Sequence, residues 1–556
     1  MPHSQKRPNF LIIVADDLGW SDTQPFGGEI HTPNLERLAK SGVRFTDFHT
    51  ASACSPTRSM LFSGTDNHIA GLGQMAETVK RFTEFQGKPG YEGYLNDRVA
   101  ALPELLSDAG YHTIMSGKWH LGLVPERFPS ARGFQKSFAL LPGGANHYAF
   151  EPGTKDKPAV PFLPQLYAQD KEYVEVDDSH FYSSDSFTDT LLEYIEERPK
   201  DKPWFAYLPF TAPHWPLQAP KEYINKYKGK YDEGPDVLRE QRLKEQVKLG
   251  LVGKDVVSAP ILADNETEWH DKTAEEKAYS ARTMEIYAAM VQKMDENIGR
   301  VLDHLEKTGE IDNTFISFMS DNGAEGAILE AIPLLTNDLN EKYFDNSIEN
   351  IGAKNSFIWY GPRWAQAATA PAKYTKGYIF EGGIRCPLIV RYPGFENPGS
   401  ISNEFTTVMD ILPTVLELAG VTHPGTNYKG REVVVPKGVS WVSNLSGKSK
   451  EAIHSNTHFT GWELFGQRAI RKGNLKAILA PEEGKEDTWE LYDLDADFGE
   501  TKDLAKTHPD VLKELVELWY LYEGDCGVFI PDNADQMNLR KMLKENPRRK
   551  AWGEKK

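Results

Sequence analysis

The sequence predicts an α/β protein: a large, mostly parallel sheet sandwiched by helices, followed by a smaller C-terminal α+β subdomain. Three observations lead there. Asn9 to Ala15 is an apolar run of the kind that forms a strand buried on both faces. Strand-like runs then alternate with helical periods as far as about Pro424, the pattern of a parallel sheet with crossover helices. Beyond Pro424 the texture changes to short strands at Gln467–Lys472, Leu475–Leu479 and Trp489–Tyr492, with a helix at Pro509–Leu521.

The elements follow in order. Thr32 and Pro33 read as the N-cap and first residue of a helix over Asn34–Lys40, stopped near Gly42. Ala100–Ala109 is helical and ends at Gly110, and Tyr111–Ser116 is a strand leading to Gly117-Lys118-Trp119-His120. A helix over Phe187–Glu197 precedes a strand over Trp204–Phe210, which leads to Thr211-Ala212-Pro213-His214. The long amphipathic helix Glu275–Lys307 precedes the strand Thr314–Met319 and then Ser320-Asp321-Asn322-Gly323. Gly323 to Ala372 reads as an irregular wall or lid, since loops of this length are usually functional. Val408–Leu418 is a helix kinked or begun at Pro413. The expected domains are residues 1–424, 425–532 and a polar tail over 533–556, with no internal repeat.

Composition narrows the function. The chain has 556 residues and a formal net charge of −18, which argues against a nucleic-acid partner. Three Cys are too few for a disulfide framework, and Cys386 and Cys526 read as ordinary thiols. The run Phe10–Ala15 is too short for a signal peptide and no segment approaches a membrane span, so the expected location is cytoplasmic, with no membrane partner.

Polar residues gather where the strands end. Asp16, Asp17, Lys118, His120, His214, Asp321 and Asn322 each follow a predicted strand, and ligands of open parallel sheets bind at that edge. A further motif is Cys54-Ser55-Pro56-Thr57-Arg58. Pro56 fits the first position of a helix continued by Ser59-Met60-Leu61-Phe62. Cys54 then lies at an anion-favouring helix N-terminus, with Arg58 one turn above it. Taken singly, Cys54 could be a small buried hydrophobe, and Asp16-Asp17 and Asp321-Asn322-Gly323 could be turns. Their shared edge points to a metal, and hard oxygens suit Ca2+, or Mg2+ in a stricter geometry.

Cys54-x-Pro56-x-Arg58 resembles the maturation motif of the type I, formylglycine-dependent sulfatases of the alkaline phosphatase superfamily. Asp16-Asp17, Gly110 to His120, Pro213-His214, Asp321-Asn322-Gly323, and Lys376 before Glu381-Gly382-Gly383-Ile384-Arg385 follow in that family's order. The resemblance covers most of the chain and is nearest to the soluble cytosolic arylsulfatases. Ala53 and Ser63 depart from the family's usual wording. The resemblance implies an alkaline-phosphatase-like fold and a small anionic sulfate ester, foremost an aryl sulfate, as substrate. It implies that a formylglycine-generating maturation enzyme converts Cys54, whose hydrate attacks sulfur. It also implies that Asp16, Asp17, Asp321, Asn322 and residue 54 hold Ca2+, ahead of Mg2+ or Mn2+. Lys118 and Lys376 would clamp the sulfate, His214 would serve the leaving oxygen, His120 the second hydroxyl, and Arg58 would orient the hydrate. With a divalent cation the site would carry a net charge of about +2, suited to an anion. Two alternatives stand beside this reading: a phosphonate monoester or phosphodiester hydrolase of the same superfamily, and a non-catalytic metal-binding homologue with unmodified Cys54. The alcohol pocket has Trp215, Tyr360 and Trp364 as candidate lining.

Overall fold

The computed structural model describes residues 7–151, 165–263, 266–327, 342–481 and 487–537. Among them the main sheet has ten strands. They are β1 (Asn9–Ala15), β2 (Val43–Phe45), β3 (His112–Lys118), β4 (Lys136–Leu140), β5 (Tyr167–Gln169), β6 (Glu172–Val174), β7 (Trp204–Pro209), β8 (Thr314–Ser320), β9 (Leu388–Arg391) and β10 (Ile401–Ser402). Their spatial order is β10-β2-β9-β8-β1-β7-β3-β4-β5-β6. The central five, β8-β1-β7-β3-β4, are parallel. Antiparallel pairs flank them through β9 on one side and β5 on the other. The parallel centre matches the expectation, and the mixed edges come from strands too short to show in the sequence pattern.

The alternation of a strand divides the core in two. Leu11, Ile13 and Ala15 of β1 face one apolar layer, and Phe10, Ile12 and Val14 face the other. The first layer is covered by α1 (Pro33–Ser41), and the second by α2 (Cys54–Ser63) and α3 (Leu102–Asp108). The first layer is completed by α4 (Ser183–Glu197), α5 (Pro235–Leu249), α6 (Ala274–Lys307) and α7 (Gly361–Ala368). The second also holds α8 (Ile411–Ala419).

Several elements differ from expectation for identifiable reasons. Thr32 makes no side-chain cap on α1. The buried carboxylate of Asp295 on α6 does so instead, accepting from the N–H groups of Asn34 (3.1 Å) and Leu35 (2.8 Å). Helix α5 has no apolar stripe to betray it. It is anchored by buried arginines: Arg242 on Asp22 (2.6 Å) and Glu29 (2.7 Å), and Arg239 on the Ala259, Pro371 and Ala372 carbonyls. The region read as an irregular wall lies partly, over 328–341, outside the described residues. The rest includes α7, whose Trp364 is fully buried and donates to Ser280 Oγ (2.9 Å). Val408–Asp410 is a 3-10 turn before α8, so Pro413 falls in the first helical turn and no kink is needed.

The smaller C-terminal domain is an antiparallel sheet of β11 (Phe459–Leu464), β12 (Gln467–Lys472), β13 (Leu475–Leu479) and β14 (Glu490–Asp493). Helix α9 (Pro509–Cys526) packs Leu515, Trp519 and Tyr522 on Ile470, Ala477 and Leu491. Strand β11 escapes sequence reading because Gly461 interrupts it. A Cβ there would stand 2.3 Å from the Tyr522 ring, so α9 needs a glycine at this point. Most of the tail over 533–556 lies outside the described residues. No helix among the described residues is long and apolar enough to cross a membrane.

The two domains share a buried charged contact. His68 lies between Asp66 (Nδ1–Oδ1 2.7 Å) and Glu463 of β11 (Nε2–Oε2 3.0 Å). Burial pulls the imidazole pKa down, but the two carboxylates more than reverse this and push it up to about 9. A folded pKa raised above the ordinary 6.5 gives stability that is complete below pH 6.5 and lost as pH rises through about 9. Denaturant midpoints should therefore fall across that window in the wild type and flatten in His68→Gln. Equal slopes in the two proteins would contradict this assignment.

Candidate active site

The ten residues singled out in the sequence lie together at the carboxyl ends of the central strands. Asp16 and Asp17 follow β1, and Asp321 and Asn322 follow the adjacent β8. Lys118 is the last residue of β3, two residues beyond the expected strand end, and His120 follows it. His214 lies beyond β7, and Lys376 precedes the short helical turn Glu381–Ile384. All ten are buried, with Lys376 the most exposed at 9%.

Cys54 begins α2 rather than preceding it, and Pro56 is the third helical residue, not the first. The N–H missing at that position is still one that a helix leaves unpaired, so Pro56 is tolerated there. The whole of α2 is buried. Its polar residues are explained by the site: Arg58 sends Nε (3.0 Å) and Nη2 (2.6 Å) to Asp321 Oδ2, and Nη1 to the Lys118 carbonyl (3.0 Å). Arg58 thus supports a carboxylate and the end of β3, and is 3.8 Å from Asp16.

The charges pair closely. Lys118 Nζ lies 2.8 and 2.7 Å from the two oxygens of Asp16. Lys376 Nζ lies 2.9 and 3.0 Å from those of Asp17. Asn322 Nδ2 donates to Asp17 Oδ1 (2.7 Å), and the Asp17 N–H donates to Asp321 Oδ1 (3.3 Å). Cys54 Sγ stands 3.4 Å from Asp16 Oδ1 and 3.8 Å from Asp17 Oδ1. Asp16, Asp17, Cys54 and His214 each point an atom into one space less than 4.8 Å across.

Crowding shifts the titrations. Burial pushes the Asp16 carboxyl up to about 7, against the pull of Lys118 and with the help of Asp321 and Asp17. Burial acts on Asp17 too, but Lys376, His214 and Lys118 hold it below the usual carboxylate range. Burial and Asp321 raise the Cys54 thiol well above its ordinary value, so as a cysteine it is no ready thiolate. Burial lowers the His214 pKa strongly, with Asp17 opposing. His214 Nδ1 donates to the Trp215 carbonyl (2.6 Å), which leaves Nε2 facing Asp17 at 3.5 Å.

Sequence reasoning missed three features and, apart from Trp215, a fourth. Glu77 lies 3.3 Å from His120 Nε2. Glu325 lies 3.1 Å from Lys376 and lowers the expected net charge of the site by one. The Gly143-Gly144 backbone covers both histidines: a Cβ at Gly143 would stand 2.7 Å from the His120 ring, and one at Gly144 2.9 Å from the His214 ring. Half-buried aromatics form the wall beside His214. Trp215 is 4.5 Å from its ring, and Phe357 and Trp359 are each 5.9 Å from Trp215. No local pattern marks any of these. Of the lining candidates only Trp215 is there. Tyr360 stacks on Tyr287 at 4.5 Å and, like Trp364, belongs to the core. A second acidic group, Asp47, His49 and Glu381, is filled by Arg471, Arg385 and Lys476 and is an ion-pair network.

Comparison with known proteins identifies the family. The sulfatase family model matches residues 8–421, and the model for the C-terminal region of N-sulphoglucosamine sulphohydrolase matches residues 372–519. An uncharacterised sulfatase of Schizosaccharomyces pombe is 63% identical over 547 residues, covering 97% of this chain and 98% of its own. An arylsulfatase of Klebsiella aerogenes is 40% identical over 442 residues, covering 78% of this chain and 91% of its own. The crystal structure of Ps i-CgsB superposes with a TM-score of 0.67 at 22% identity, over 98% of this chain and 99% of that one. The chain therefore belongs to the sulfatase family and is a sulfuric ester hydrolase with an alkaline-phosphatase-like fold.

Proposed function

We propose that this sulfatase cleaves aryl sulfates to a phenol and inorganic sulfate, using residue 54 as formylglycine and one Ca2+ ion. The observation that carries the reading is the burial of Cys54 in one small space with Asp16, Asp17 and His214, flanked by two lysines. The aryl preference is supported by the aromatic cluster of Trp215, Phe357 and Trp359 beside His214. The Klebsiella relative is named an arylsulfatase, which supports the same preference.

The residues fit a hard cation. Three carboxylates converge, the Asn322 Oδ1 is buried without a hydrogen-bond partner, and burial with neighbouring carboxylates raises the Asp16 pKa. Asp16, Asp17, Asp321, Asn322 and residue 54 would hold the ion, which when bound lowers the pKa of the attacking hydroxyl supplied by the formylglycine hydrate. The chain's own groups do the rest. Lys118 and Lys376 keep their charge: burial opposes it, but Asp16 beside Lys118 and Asp17 beside Lys376, together with the other acidic neighbours of each, raise both pKa values, and the two ammonium groups hold two sulfate oxygens as charge builds. His214 donates Nδ1–H to the backbone, so Nε2, facing Asp17, is the atom that would carry a proton to the leaving oxygen when the ring is charged, a form that Asp17 favours and burial opposes. His120 Nε2 is held by Glu77, and its Nδ1, buried without a partner, takes the proton of the second hydroxyl. Arg58 steadies Asp321 and the end of β3. We assign residues 1–424 to the catalytic domain and 425–532 to the C-terminal one.

Two experiments test this. The tryptic peptide Phe45–Arg58 from active enzyme should carry an aldehyde in place of the Cys54 thiol and react with hydrazides; full activity with only the cysteine form would contradict the reading. His214→Ala should slow esters of poor leaving groups by about 10²–10⁴-fold and good ones far less, whereas Lys118→Ala should slow both alike. An equal loss for both ester classes in His214→Ala would make His214 a sulfate binder only.

A further inference from the structure

Lys376 reaches the site from a loop whose shape is set by the other domain. Gln467, the first residue of β12, is buried at 4% exposure. Its carboxamide bonds both sides of the turn that follows Lys376. Nε2 donates to the Gly377 carbonyl (2.7 Å), and Oε1 accepts from the Ile379 N–H (3.4 Å). The Gly377 N–H donates in turn to the carbonyl of Ser52 (2.7 Å), two residues before Cys54. On the other side of the loop the Lys376 N–H is fixed on the Ala324 carbonyl (3.0 Å).

The same sheet braces the flanking segments. Trp462 Nε1 of β11 donates to the Thr50 carbonyl (2.9 Å), on the chain that leads to α2. Lys476 of β13 grips Glu381 (2.7 Å) and Glu500 (2.8 Å), and Glu500 accepts from the Glu381 N–H (2.8 Å). Each link is between buried groups, where an unmade hydrogen bond is costly. Only a primary carboxamide supplies a donor and an acceptor side by side without adding charge near Lys376 and Asp17.

We propose that Gln467 is a positioning residue for Lys376, so that the C-terminal domain helps build the sulfate-binding edge of the catalytic one. This rests on the reading of Lys376 as a sulfate clamp. Gln467 touches neither substrate nor the reacting residue. It sets where the Lys376 backbone stands relative to Ser52 and Asp17, and hence where the ammonium meets a sulfate oxygen. A shift of about 1 Å at such a group can cost up to about 10²-fold in rate.

The test uses full-length matured enzyme with its formylglycine content measured, an aryl sulfate as substrate and inorganic sulfate as competitive inhibitor. The proteins are wild type, Gln467→Met, Gln467→Ala, Lys376→Ala and the double variant Lys376→Ala/Gln467→Met. Gln467→Met keeps the side-chain length and removes both hydrogen bonds. It should lower kcat/KM about 10- to 100-fold and raise the inhibition constant of sulfate in parallel, equally for good and poor leaving groups. In the Lys376→Ala background the same change should add less than about threefold, because residues that act as one unit are non-additive. Gln467→Ala supplies the same reading should the methionine variant fold poorly. A loss of equal size in both backgrounds, or no loss beside a large one in Lys376→Ala, would overturn the proposal alone and leave Gln467 a fastener between domains. Full sulfate affinity in Lys376→Ala would overturn the clamp reading and the proposal with it.

Discussion

Three carboxylates packed side by side in a dry place are the constraint on which the rest of this structure depends. Asp16 and Asp17 follow β1, Asp321 follows its neighbour β8, and parallel pairing of those strands leaves no freedom to move them apart. Buried like charges at such spacing are tolerated only with compensation. Arg58, Lys118 and Lys376 supply it from three other parts of the chain. A second set of bonds then holds those cations. The burial of α2 fixes Arg58, the pairing of β3 with β4 fixes Lys118, and a loop clasped by the C-terminal sheet fixes Lys376. On the proposed reading, the same cations that neutralise the carboxylates are also the groups that would receive a sulfate.

Backbone conformation tells the same story. Asp17 and His120 adopt left-handed backbone angles, φ 67° and 56°, which are uncommon for residues other than glycine. Strain of this kind gathers at functional sites and is held by surrounding structure. Here the holding structure is the hydrogen-bonded end of the parallel sheet on one side and the Gly143-Gly144 backbone on the other.

Much of this was legible in the sequence because the chemistry sits where strands stop. Apolar runs such as Asn9–Ala15 and Thr314–Met319 announce buried strands, and the polar residues that follow them must share an edge. The family resemblance supplied Lys376, which no strand announces. What escaped were residues whose partners lie far along the chain. Gln467 meets Gly377 across 90 residues, and Glu77 meets His120 across 43. Helix α5 escaped because arginines, not an apolar stripe, bury it, and β11 because a glycine stands where α9 comes close. Tyr360 and Trp364 were drawn toward the pocket by composition alone, whereas packing places both in the core.

The central claim is that the carboxylate cluster is a site for one hard cation, and calorimetric titration of chelator-treated protein with Ca2+ tests it most directly. The account predicts one ion per chain, with a rise in thermal stability on binding and loss of both effects in Asp321→Ala. No binding by the folded wild type, or binding unchanged in Asp321→Ala, would contradict it.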